Sequence, residues 1–99
     1  GVFGFSKVLL YWKNAFLQFL NFLNFMIIFT RHALLKLQQR GISQKAVKET
    51  LKLPDYKIPS YGDRIIAYKK FDKLYLKVIY RIEEGNMVVI TQHWQRKIK

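Results

Sequence analysis

A chain of 99 residues has room for one hydrophobic core, and not for a catalytic domain beside a separate cofactor domain. Eighteen Lys and Arg against six Asp and Glu leave a formal charge of +12, a field that attracts polyanions such as nucleic acid or anionic lipid and disfavours acidic substrates. Cysteine is absent, which removes disulfides, thiolate metal sites and thiol nucleophiles. His32 and His93 are the two histidines, no HExxH or paired-carboxylate spacing accompanies them, and the five glycines form neither a Walker loop nor GxGxxG. No metal and no cofactor are therefore expected.

Residues 1–25 differ in kind from the rest. They hold eight of the sixteen aromatics, two charges (Lys7 and Lys13) and no acid. Phe16, Leu17, Phe19, Leu20, Phe22 and Leu23 are interrupted by Asn14, Gln18 and Asn21 at helical spacing, which predicts an apolar, lopsided amphipathic helical extension. Lys13 and the asparagines leave it short of the roughly 20 clean apolar residues of a membrane span. A secretory signal would need a small-x-small cleavage site, which is missing. Three readings stand: a helix packed on the domain, a membrane-surface anchor, or the translation of AT-rich DNA upstream of a natural start at Met26.

From Thr30 the pattern is orderly. Thr30 is a candidate N-cap, Ala33, Leu34 and Leu37 share a face, and Gly41 stands where a helix stops, which predicts a helix over 31–40. Ser43 caps a second helix over 44–52, with Ala46, Val47, Leu51 and Leu53 on its apolar side and Pro54 forbidding continuation. Two helices so close together form a helical hairpin that lays its apolar faces on a sheet. Residues 54–63, rich in Pro, Ser, Gly and Asp, read as loop. Three strands follow at 64–71, 74–82 and 87–94, separated by Asp72 with Lys73 and by Glu83–Asn86.

A two-residue turn at Asp72 and Lys73 fixes a register. It pairs Phe71 with Leu74, Ala67 with Val78 and Ile65 with Tyr80 on a core face that also holds Leu76 and Ile82. The other face pairs Lys70 with Tyr75, Tyr68 with Lys77, Ile66 with Ile79 and Arg64 with Arg81. A short loop at Gly85 and Asn86 adds Val88, Ile90, Gln92 and Trp94 to this second face and puts Met87, Val89, Thr91 and His93 on the core side; a three-residue loop with a bulge swaps them. Arg64 opposite Arg81 costs a hairpin stability, and a polyanionic partner would offset it. Basic side chains there would hold phosphates while Tyr68, Tyr75 and Trp94 stack unpaired bases, at about 1 to 3 kcal/mol per base, which favours single-stranded RNA. Arg40 and Arg96 extend the basic set. The competing explanation is an ordinary solvated sheet face, where Lys and Tyr are common.

The residues Arg31-His32-Ala33, Gln39-Arg40-Gly41-Ile42-Ser43, Val47, Leu51, Pro54-Asp55, Leu76-Lys77-Val78-Ile79-Tyr80-Arg81 and Val88-Val89-Ile90-Thr91 together resemble a small prokaryotic domain family of unknown function. That family opens with a His-Ala helix, turns at Arg-Gly-Ile-Ser and closes on a Val-Ile-Thr strand, and is grouped with the RelE, ParE and BrnT toxin superfamily. The resemblance spans about residues 28–96 and excludes the first 25. It implies a RelE-like α+β fold, a helical hairpin on a three- to four-stranded antiparallel sheet, with one domain over 26–99. Within that superfamily some members resemble ribosome-dependent messenger RNA endonucleases, others poison gyrase and others have no known activity, and the fold alone does not choose. The reading taken from the resemblance is a cytoplasmic toxin of a toxin–antitoxin pair, a metal-independent endoribonuclease with or without the ribosome; inhibition of gyrase or another protein, with no RNA dependence, is a further alternative. The antitoxin would be an acidic or strand-donating protein over the basic face.

RNA cleavage without metal needs activation of a ribose 2′-hydroxyl, protonation of the leaving 5′-oxygen and stabilisation of a charged phosphorane, tasks suited to His, Lys, Tyr and Arg. His32 is the acid/base candidate because imidazole titrates nearest neutral pH, weighed against a plain structural role in the first turn of a helix. Lys77 and Arg81 are the phosphate binders or charge stabilisers, weighed against solvated lysine and arginine. His93 is a second acid/base or a cap on the core edge, and Arg40 a phosphate contact or a helix-end cation. The alternative function is a non-catalytic nucleic-acid or ribosome-binding module using Arg64, Lys77, Arg81 and Trp94 and indifferent to either histidine.

Overall fold

The computed structural model describes residues 26–98. The amphipathic extension expected over residues 1–25 lies outside the described residues. Strand β1 (Ile27–Phe29) leads into helix α1 (Arg31–Arg40) and helix α2 (Gln44–Lys52), followed by β2 (Tyr56–Pro59), β3 (Arg64–Phe71), β4 (Leu74–Glu83) and β5 (Asn86–Gln95). The strands form one sheet in the order β1-β5-β4-β3-β2. The class is α+β as expected, but the sheet has five strands and is mixed, because β1 pairs with β5 in parallel. The antiparallel three- to four-stranded arrangement is thereby corrected.

Both helices end where local chemistry directs. The Thr30 hydroxyl accepts from the Ala33 amide at 3.1 Å and the Ser43 hydroxyl accepts from the Ala46 amide at 3.0 Å, so each N-cap satisfies one otherwise unpaired donor. Gly41, at φ 62°, closes α1 in the left-handed region, and the Ile42 amide donates back to the Leu37 carbonyl at 3.0 Å. The two helices lie on one face of the sheet, α1 over β5 and β1 and α2 over β4 and β3. Between the layers Ala33, Leu37, Ile42, Val47 and Leu51 meet Ala67, Leu76, Val78, Tyr80 and Val89. Burying these side chains removes apolar surface from water at roughly 25 cal/mol per Å2, the main favourable contribution to folding.

Four expected core residues are exposed instead, Leu74 at the start of β4 among them. Leu34 sits 100° around α1 from Ala33 and is 44 % exposed; Leu53, past the last turn of α2, and Ile82, beside the hairpin end of β4, also face water. The predicted loop over 54–63 contains β2, an edge strand anchored by the Asp55 carboxylate, which accepts from the Lys70 amide at 2.7 Å. Pro59 is tolerated there because it ends the strand at the sheet edge.

The β3–β4 register is the expected one at every named pair, from Phe71 with Leu74 to Arg64 with Arg81. Strand β5 is not. Its hairpin turns on Glu84 and Gly85, at φ 52° and 80°, a two-residue turn of the kind that matches strand twist. A bulge then falls inside the ladder: Ile79 pairs with Thr91 but Tyr80 pairs with Val89, leaving Ile90 extra. Beyond it every side chain changes side. Gln92 and Trp94 turn toward the helices, where the Gln92 amide donates to the Ala33 carbonyl at 2.8 Å and Trp94 meets Phe71 edge to face at 5.9 Å. Thr91 and His93 move to the open face, the reverse of the expectation from an unbulged strand.

Candidate nucleic-acid interface

Pairing across the strands arranges the open face in rows. Tyr56, Tyr68, Lys77 and His93 form one row across β2, β3, β4 and β5. Ile58, Ile66, Ile79 and Thr91 form the next, and Arg64, Arg81, Val88 and Ile28 the one beyond. On the other flank Lys70, Tyr75 and Gln95 complete the face. Two cationic ledges thus border an aliphatic floor. Lys77 and Arg81 stand four residues apart on β4, about 13 Å along the strand.

Each lysine rests on an aromatic ring of the neighbouring strand. The Lys70 ammonium lies 5.8 Å from the Tyr75 ring centre and Lys77 lies 6.0 Å from that of Tyr68, close enough for cation–π attraction. Tyr68 is fully buried, and its hydroxyl has no hydrogen-bond partner. Its ring therefore serves as a wall under Lys77, not as an open platform, whereas Tyr75 is half-buried and Tyr56 exposed. Arg81 is engaged: its Nε and a terminal nitrogen both donate to one Glu83 oxygen, at 3.2 and 3.1 Å. Both partners are substantially exposed, so this pair contributes at most about 1 kcal/mol and yields readily to a stronger anion.

His93 has two cationic side chains in its surroundings. It pairs across the ladder with Lys77, and Arg40 reaches the same edge from the end of α1, donating to the Gln92 carbonyl at 2.7 Å and to the Thr91 hydroxyl at 3.3 Å. This contact exists because β1 pairs only as far as Val89, which leaves the rest of β5 an open edge. The Thr30 hydroxyl covers the Ile90 carbonyl on that edge at 3.3 Å, so the two ends of α1 together blunt it against strand addition. Burial first, then the Lys77 ammonium and the Arg40 guanidinium, hold the His93 imidazole below its ordinary value of 6.5. Near neutral pH it is a neutral base beside two cations.

The other sequence-derived site residues are dispersed. His32 is exposed in the first turn of α1, on the helical layer. Trp94 packs under the helices and is removed from the stacking set by the bulge. Arg96 lies beyond β5 near Phe71, Asp72 and Leu74, lining a separate depression at the hairpin tip. Arg64 and Lys70 occupy the open face as expected. Tyr56 and Thr91 join the face without having been singled out; the alternation of Tyr56-Lys57-Ile58 was the signal for the first, and none existed for the second short of the bulge.

Among the described residues no three His, Asp or Glu side chains cluster to hold a metal ion, and no helix is long and apolar enough to cross a membrane. No curated protein and no solved structure matches the chain. Residues 29–91 match the model of a domain of unknown function, DUF4258, across most of the β1-to-β5 unit, and the chain belongs to that family.

Proposed function

We propose that this chain is an RNA-acting protein of the RelE, ParE and BrnT toxin type, a metal-independent endoribonuclease whose substrate lies on the open sheet face. The observation that carries the reading is His93 standing opposite Lys77 on that face, with Arg40 bound to the adjoining Thr91 and Gln92 at the β5 edge and the imidazole kept neutral. A neutral His93 takes the proton from a ribose 2′-hydroxyl, and the 2′-oxygen attacks the adjacent phosphorus. The bond from phosphorus to the 5′-oxygen breaks, that oxygen takes a proton from Lys77, and the products are a 2′,3′-cyclic phosphate and a 5′-hydroxyl. Lys77 and Arg40 offset the phosphorane charge. Arg64, Arg81 and Lys70 hold flanking phosphates, and Tyr75 and Tyr56 offer ring faces to bases. His32 has no part in this chemistry. Action on messenger RNA or the ribosome places the protein in the cytoplasm, and its antitoxin would be an acidic or strand-donating protein covering the same face.

The test incubates the full chain with a single-stranded RNA and follows strand scission and product ends, beside His93→Gln, Lys77→Ala and His32→Gln. Scission to cyclic-phosphate ends, lost in His93→Gln with RNA still bound and retained in His32→Gln, is the expected result. Binding without scission selects the non-catalytic RNA-binding module, which the lysine–tyrosine stacks and aliphatic floor also suit. Absence of binding with a folded protein overturns both.

A further inference from the structure

The helical layer carries a second surface unrelated to the sheet face. Leu34 and Leu35 are 44 % and 52 % exposed, side by side on α1. With Leu37, Gln38, Ile42 and Gln44 they line a groove of about 500 Å3 between α1 and the start of α2. Helix packing on the sheet uses Ala33 and Leu37, so neither exposed leucine is needed to close the core. A recess with an apolar floor suits side chains projecting from a helix more than it suits a lipid surface, which needs a convex apolar face.

Charge selects the occupant. Between residues 31 and 53 there are six Lys and Arg and one acid, Glu49, so this layer is strongly positive. Arg31 precedes Leu34 and Leu35 by three and four residues, and Lys48 follows Gln44 by four, spacings that put both exposed cations on the rim. A second copy of the chain would bring the same cations against them. We propose that this groove docks an acidic amphipathic helix of a partner protein, its apolar side chains on Leu34, Leu35 and Ile42 and its carboxylates on Arg31 and Lys48. The proposal does not depend on what the sheet face binds.

The experiment uses the full chain and a labelled synthetic helix of about 20 residues with Leu at i, i+3, i+4 and i+7 and mostly Glu elsewhere. Two controls are a helix with Lys in place of Glu and one with the leucines scrambled. The expected result is binding at least about tenfold tighter for the acidic amphipathic helix than for either control, a difference of about 1.4 kcal/mol. The same loss of about tenfold is expected for Leu34→Gln/Leu35→Gln and for Arg31→Glu/Lys48→Glu, the latter distant from the core and so a safeguard should the first disturb folding. An oligouridylate competitor should leave the helix bound. Equal binding of the scrambled helix, displacement by the oligouridylate, or indifference to both variants would overturn it. So would self-association, or partition onto phosphatidylserine vesicles, that the leucine variant abolishes in place of peptide binding.

Discussion

On the covered side of the sheet Ala67, Leu76, Val78, Tyr80 and Val89 are buried against two helices; on the open side Ile66, Lys77, Ile79 and Arg81 are half-buried, and of that face Tyr68 and Val88 are buried as well. The same strands supply both sets, one residue apart. The covered side is mostly apolar, with Gln92 bonded to the Ala33 carbonyl within it, so most of its residues answer to volume. The open side mixes aliphatic, aromatic and cationic groups in rows, so its residues answer to charge and to whatever lies on them. Position on the pleat, more than residue type, thus separates stability from interaction in this protein.

The largest expected effect tests that division. Leu76→Ala should cost about 2 to 5 kcal/mol in urea denaturation, while Ile66→Ala on the open face should cost clearly less. Equal losses would mean that the open face is a second core. Next, Lys77→Ala should weaken binding to a single-stranded RNA and lower the salt slope of binding by about one, whereas Lys52→Ala on the helical layer should change neither. Matching slopes for the two variants would dissolve the distinction between the faces.

A subtler effect concerns His93. Its folded-state pKa is depressed, so the unfolded chain binds more protons; the contribution to stability is present above about 6.5 and is lost as pH falls below that value toward the folded pKa. His93→Gln should therefore flatten the fall in stability below pH 6.5, read from denaturation midpoints across pH. An unchanged slope would place the imidazole in solvent, away from Lys77 and Arg40. The smallest change is at the β4–β5 hairpin, where Glu84 holds φ 52° without the freedom of glycine. Glu84→Asn should raise stability by about 0.5 to 1 kcal/mol, since Asn-Gly suits this turn, and should leave RNA binding alone.

Much of this architecture was legible in the chain. Thr30 and Ser43 followed by apolar residues at helical spacing mark both helix starts, and Gly41 and Pro54 mark where they stop. The β3–β4 register follows from one turn and strict alternation. Strands β1 and β2 were not legible for different reasons. Ile27–Phe29 is three residues long and its partner lies some sixty residues away, while Tyr56–Pro59 is framed by the very Pro, Ser and Gly residues that signal a loop. Lys77, Arg64, Lys70 and Tyr75 share the open face, as the turn and the alternation predict. His93 and Trp94 were exchanged because one extra residue at Ile90 reverses everything after it.

The sequence by itself determined the α-α-β-β-β order, the helix caps, the first hairpin register and the basic character of the chain, all consequences of short-range rules that act within a few residues. Only the tertiary structure decided that Leu34 and Leu35 stay exposed, that two further short strands flank the sheet, and that Arg40 from a helix end binds Thr91 and Gln92 next to His93 on β5. These outcomes depend on which strand edges remain open and where the ladder slips by one residue. Such choices are settled by the packing of distant segments against one another, for which local periodicity has no term.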